Sequence, residues 1–248
     1  MEQVAAVLFD LFGTLIHFHR DRLPLVHLNG TSLRSTSGAL YAYFGHHHPQ
    51  IDFGTFHRSF TASAAEVERR RIADGCEVDA ATRFALLYEE LGLPVNGATA
   101  AERAALLTLH METLAGSVEF PESYRPVLSR LAARFPLALV SNFDHAPTAC
   151  GILERVGIAS MFRTTLISAT VGECKPRPGI FLRACHDLGL PPTRAVFVGD
   201  CQRVDVLGAK GVGMQVIWVN RDGVDLHAGV PRPDHTVSDL TEIEPLLA

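Results

Sequence analysis

The run Val7-Leu8-Phe9-Asp10-Leu11-Phe12-Gly13-Thr14-Leu15 constrains this chain more than any other stretch. Starting near Val4, it is apolar on both alternating faces, carries β-branched and aromatic residues, and then meets a carboxylate followed by Gly-Thr. A strand apolar on both faces is one covered on both sides, as inside a parallel sheet flanked by helices. Asp10 then stands where the strand stops, at the edge of an open α/β sheet where ligands are held. An acid at a strand end is also an ordinary turn former. What Asp10 does therefore depends on what other strands deliver to the same edge.

From Pro121 the chain alternates. Spacing predicts helices near 122–134 and 146–156, another ending at Gly189, and a short one reaching Lys210. Between them fall apolar runs at 137–141, 164–168, 195–199 and 215–219, read as strands. The tail from Asp234 is expected to add a small strand and a helix. Such alternation argues for a parallel sheet with right-handed crossovers. Residues 17–31 read as irregular, with Pro24, Asn29 and Gly30 marking loop. Helical spacing without convincing strands follows: Leu33, Leu40, Tyr41 and Phe44, then 53–74, then Phe84 to Leu91 before Gly92, then Leu107 to Leu114 before Gly116. The expected fold is α/β, a Rossmann-like doubly wound parallel sheet from residues 1–16 and 119–248, with an α-helical domain inserted over 17–118.

Composition narrows the partners. With 47% apolar and 20% charged residues over 248 positions, a sizeable core is expected. A net charge of −5 offers no basic field for a nucleic-acid backbone. The N-terminal apolar run is too short to span a membrane, so no membrane partner is expected. Five cysteines, odd in number and without metal-ligand spacing, read as reduced thiols of a cytoplasmic protein. His46-His47-His48 reads as an exposed loop. Lysine occurs only at Lys175 and Lys210, which leaves two candidates for any lysine chemistry.

Three more stretches stand at or just beyond strand ends: Ser141-Asn142, Lys175-Pro176, and Gly199-Asp200 with Asp205 beyond it. A hydroxyl, an ammonium and two carboxylates thus come to the edge that holds Asp10. Asp200 could simply cap the next helix, Asp205 could be a solvated first-turn acid, and Ser141-Asn142 could be a plain turn. Together they suit phosphoryl transfer through a covalent aspartyl intermediate. A carboxylate attacking a phosphate dianion faces like-charge repulsion, which a divalent cation and a nearby lysine offset. Mg²⁺ needs few protein carboxylates; Asp10 and Asp200 suffice, with Asp205 as an outer or alternative ligand. Ser141 would donate to a phosphoryl oxygen, and Lys175 would neutralise phosphate and Asp10.

The stretches Asp10-Leu11-Phe12-Gly13-Thr14-Leu15, Val140-Ser141-Asn142, Lys175-Pro176-Arg177-Pro178 and Gly199-Asp200 through Asp205 resemble the four motifs of the haloacid dehalogenase-like hydrolase superfamily. The resemblance spans essentially the whole chain and is nearest to the subgroup with a helical cap inserted after the first motif. It implies a five-stranded core in the order 5-4-1-2-3 and catalytic residues Asp10, Thr14, Ser141, Asn142 and Lys175. It also implies Mg²⁺ held by Asp10, the Phe12 carbonyl, Asp200 and Asp205, a mobile cap, and a small, phosphorylated substrate.

One position departs from the pattern. Phosphatases of this superfamily carry a second Asp two residues after the nucleophile, as general acid and base; here that residue is Phe12. The 2-haloacid dehalogenases have an aromatic there, but need no metal and lack the acidic fourth motif kept here as Asp200 and Asp205. Phosphonate-cleaving relatives need a cap lysine, and none precedes Lys175. The reading is an Mg²⁺-dependent phosphatase; the alternatives are a 2-haloacid dehalogenase-like hydrolase and a degenerate member that binds with little turnover. His17, His19, Asp21, Asp144 and His145 are candidates for a substitute acid. Arg20, Arg22, Arg34 and Arg69-Arg70-Arg71 could meet an acidic substrate, the last three reading more simply as a solvated helix face.

Overall fold

A computed structural model describes residues 4–247. They divide into two compact units, one made of the chain up to Phe18 and from Glu119 onward, the other of His19–Val118. The first unit holds a six-stranded sheet: β1 (Ala6–Phe9), β2 (Leu137–Ser141), β3 (Phe162–Ile167), β4 (Ala195–Gly199), β5 (Gln215–Val219) and β6 (His235–Val237). All adjacent pairs are parallel, in the order β6-β5-β4-β1-β2-β3. The expected five-strand order is thus present and is extended at one edge by the tail. Beyond β6 the tail forms only 3₁₀ turns, Leu240–Glu242 and Glu244–Leu247, in place of the helix expected there.

Every residue of β1, β2 and β4 is buried. This is why these runs are continuously apolar: helices cover both faces of the sheet. On one face Ala6, Leu8, Val140 and Phe197 pack against Ile180, Phe181 and Ala184 of the helix Pro178–Leu188. That helix stops at Gly189, whose φ of +72° supplies the left-handed cap. The central position of β1, between β2 and β4, puts Asp10 at the middle of the sheet's carboxyl edge.

The second unit holds the helices Ser37–His47, Phe53–Asp74, Ala80–Glu90 and Ala100–Gly116. Phe44, Phe56, Phe60, Phe84 and Tyr88 form its aromatic core with Leu40, Leu87 and Leu106. Asp52 and Asp79 cap the second and third helices, their side chains accepting from Thr55 N at 2.8 Å and Thr82 N at 2.7 Å. The stretch read as loop and helix contains a hairpin instead, Leu25–Leu28 paired antiparallel with Thr31–Arg34. Leu33 therefore belongs to a strand rather than to the helix that begins at Ser37. Asn29 and Gly30, with φ of +50° and +77°, form its two-residue turn, the geometry that Asn-Gly favours. His46 and His47 lie on the last turn of a helix rather than in a loop. Arg69 and Arg70 pair with Glu66, and Arg71 with Glu77, so the arginine triplet is occupied within its own unit. No helix among the described residues is long and apolar enough to cross a membrane.

Candidate active site

Asp10 follows β1, Ser141 ends β2 and Asp200 follows β4, while Lys175 arrives from the loop beyond β3. Lys175 is buried, and its Nζ donates to Asp10 Oδ1 at 2.6 Å and to Asp205 Oδ1 at 2.8 Å. The side-chain amide of Asn142 sets its aim, accepting from Lys175 N at 2.8 Å and donating to Lys175 O at 2.8 Å. Both polar atoms of that amide are thereby committed to the Lys175 backbone. Asp205 is returned to the site by a wide π-type turn, Gln202–Val206. Its Oδ2 accepts from Cys201 N at 3.0 Å, so each of its oxygens already has a donor.

Thr14 sits between the other two acids, its Oγ1 lying 3.2 Å from Asp10 Oδ2 and 3.5 Å from Asp200 Oδ1. A hydroxyl has one proton, so it serves one carboxylate at a time. Gly13 makes this turn possible, with φ of +91° and a position where a Cβ would fall 2.3 Å from Asp200 Oδ2. Ser141 Oγ is buried and has no hydrogen-bond partner among the described residues.

Electrostatics leave the cluster short of positive charge. Asp10, Asp200 and Asp205 bring oxygens within 4.8 Å of one another, around a single ammonium. Burial pushes Asp10 up to about 7; Lys175 pulls against this, and the Asp205 and Asp200 carboxylates add to it. Burial likewise raises Asp200 to about 6, with Asp205 adding to the effect. Burial opposes the charge on Lys175, but Asp10 and Asp205 outweigh it and hold the ammonium above its ordinary value.

A cavity of about 530 Å³ opens beside Asp200, lined by Gly13, His17, Trp218, Arg221 and His227 among others. The Trp218 indole N–H donates to Asp200 O at 2.8 Å. The family model for haloacid dehalogenase-like hydrolases matches residues 4–213. The chain belongs to this family. Human N-acylneuraminate-9-phosphatase (Homo sapiens) is 30% identical over 127 residues, 51% of this chain and 51% of that protein. The chain thus spans about half the length of that relative. The (S)-2-haloacid dehalogenase 2 of Pseudomonas sp. (strain CBS-3) is 26% identical over 253 residues, covering 100% of this chain and 97% of the dehalogenase. The crystal structure of 2-haloacid dehalogenase from Pseudomonas syringae pv. Tomato DC3000 superposes with a TM-score of 0.74 at 20% identity, covering 99% and 98% of the two chains. At that identity the likeness is one of fold.

In this haloacid dehalogenase-like hydrolase the side chain two residues past Asp10 is apolar in its contacts as well as its chemistry. The Phe12 ring lies 4.8 Å from the Phe143 ring. Of the substitute acids considered, His17 Nε2 lies 3.3 Å from Tyr124 OH and His145 Nδ1 lies 2.8 Å from Thr148 Oγ1. His19 and Asp21 belong to the helical unit, 3.9 Å from each other. Arg34 donates to Leu23 O at 2.9 Å within the same unit. Sequence reasoning passed over Phe143, Trp218, Arg221 and Tyr124. Position was the available signal for two of them: Phe143 follows the end of β2 and Arg221 the end of β5, at the same sheet edge.

Proposed function

We propose that this hydrolase is an Mg²⁺-dependent phosphatase of a small organic phosphate monoester, with Asp10 as nucleophile. The observation that carries the reading is the trio Asp10, Asp200 and Asp205 gathered around one ammonium. The donors fit Mg²⁺: they are all oxygen, few, and in excess of the local positive charge. Asp10 and Asp200 would hold the ion with the Phe12 carbonyl, while Asp205, its oxygens already engaged, would steady Lys175 from outside. Mg²⁺ there would offset the repulsion between Asp10 and a phosphate dianion.

Lys175 occupies Asp10 Oδ1, which leaves Oδ2, beside the Thr14 hydroxyl, as the more available attacking oxygen. Attack by Asp10 forms a phosphorus–oxygen bond as the ester oxygen departs with its bonding pair. Water then cleaves the aspartyl phosphate, releasing inorganic phosphate and restoring the carboxylate. The orphaned Ser141 Oγ is placed to donate to a phosphoryl oxygen. Phe12 cannot protonate the departing oxygen, so leaving groups stable as anions are favoured. The test is hydrolysis of an aryl and an alkyl phosphate side by side. Aryl turnover is expected only with Mg²⁺, is abolished by Asp10→Asn, and exceeds alkyl turnover; metal-independent turnover overturns the reading.

A second reading is favoured by Phe12 and by the full-length likeness to a haloacid dehalogenase. There Asp10 would attack carbon, and halide would leave with its bonding pair and without a proton. Chloride released from 2-chloropropionate in the presence of a chelator would replace the first reading with this one.

A further inference from the structure

Arg221 lies just past the carboxyl end of β5 and reaches across to the turn that follows Asp10. Its Nη1 donates to Gly13 O, and its Nη2 donates to Thr14 O at 2.8 Å. Nη2 also donates to Tyr124 OH at 3.1 Å. Tyr124 OH spends its own proton on Asp239 Oδ2, at 2.9 Å. One guanidinium thus joins the nucleophile turn to the start of the helix Tyr124–Ala132 and, through the phenol, to the C-terminal turns.

Peptide planes are rigid, so a fixed carbonyl fixes its plane. Thr14 lies between the two planes whose carbonyls Arg221 holds. With both planes set, the backbone of Thr14 is set, and so is the point from which Oγ1 reaches Asp10 and Asp200. The same hold fixes the carbonyl side of Gly13, which stands against Asp200 too closely for any Cβ. A planar fork with several donors can span two successive carbonyls and a phenol; a lysine ammonium, a point charge on a flexible stem, cannot reproduce that.

We propose that Arg221 is the positioning residue of the metal site, holding the Gly13-Thr14 turn in the form that lets Asp10 and Asp200 bind a divalent cation together. This rests on the metal-site part of the proposed function and not on turnover. The chain's single tryptophan, Trp218, is bonded to Asp200 O, so its fluorescence reports cation binding without any substrate.

Mg²⁺ is titrated into the parent protein, Arg221→Ala, Arg221→Lys and Tyr124→Phe, reading Trp218 emission, and aryl phosphate hydrolysis is measured on the same preparations. Arg221→Ala is expected to weaken Mg²⁺ binding about tenfold or more and to lower kcat by a similar or larger factor, with KM nearly unchanged. Added guanidinium, below denaturing concentration, restores part of both, whereas Arg221→Lys restores little. Tyr124→Phe, the milder variant should Arg221→Ala fail to fold, weakens Mg²⁺ binding by a smaller factor. Variants that lose thermal stability yet bind Mg²⁺ like the parent would overturn the assignment and leave Arg221 a simple strut. A parent that binds no Mg²⁺ overturns it as well. Weakened binding in a protein with no phosphatase activity would support Arg221 and sink the phosphatase reading alone.

Discussion

At Phe12 an aromatic ring occupies the place where the proposed phosphatase would need a proton donor. The ring rests on Phe143, which makes the position an apolar lining of the site. Phe12→Asp therefore exchanges packing for a proton-transfer group beside a complete set of acids. We expect the variant to be less stable and to hydrolyse alkyl phosphates about 10²–10⁴-fold faster than the parent, the usual worth of a positioned acid. Aryl phosphates, whose leaving groups need less help, gain less. An alkyl-phosphate rate no higher than the parent's, in a variant that folds and still binds Mg²⁺, would show that the missing acid is not what limits turnover. Asp10, Lys175, Asp200 and Asp205 were legible as site candidates because each is a charged residue at or beyond an apolar run. The work of Asn142 was not, since an amide spent on another residue's backbone looks in sequence like any turn asparagine.

At the level of elements, the Asn29-Gly30 hairpin shows how turn geometry overrides weak patterning. Gly30 has φ of +77° and nothing within 4 Å of where a Cβ would stand. Gly30→Ala should thus cost only the backbone penalty, about 1–2 kcal/mol, measured by urea unfolding. A cost near zero would mean the turn can relax out of its left-handed form. The hairpin was hard to read because its first strand, Leu25–Leu28, buries only Val26 and shows no clear alternation. The sheet strands β1, β2 and β4 were easy because burial on both faces keeps them apolar, Ser141 at the end of β2 being the one polar side chain among them. β3 begins at Phe162, two residues before the expected start, because Arg163 is exposed and interrupts the apolar run. The bond from Arg221 to the turn after Asp10 had no local signal at all, since it joins elements far apart in sequence.

For the whole molecule, the buried thiols report on global opening. Cys185 lies in the core packed against the sheet, and burial pushes its thiol up to about 11, against 9.0 for an unburied cysteine. Below pH 9 folded and unfolded chains both keep that proton, and its contribution to stability is constant; between 9 and 11 the unfolded chain ionises first, so stability falls as pH rises. At pH 8 a thiol reagent should modify exposed Cys76 at once and Cys185 only as fast as the core opens, followed by peptide mass mapping with and without denaturant. Equal native-state rates at the two sites would mean that the α/β unit opens far more readily than its packing implies. The sheet's connectivity also bears on how the protein is made. β1 leaves the ribosome first, yet its partners are Leu137–Ser141 and Ala195–Gly199, and the turn after Asp10 waits for Arg221, 208 positions beyond Gly13. At ordinary elongation rates that interval is about 10–40 s. Until Leu137–Ser141 emerges the nascent chain carries an unpaired apolar strand, a natural client for chaperones, and the turn after Asp10 gains its Arg221 bonds later still.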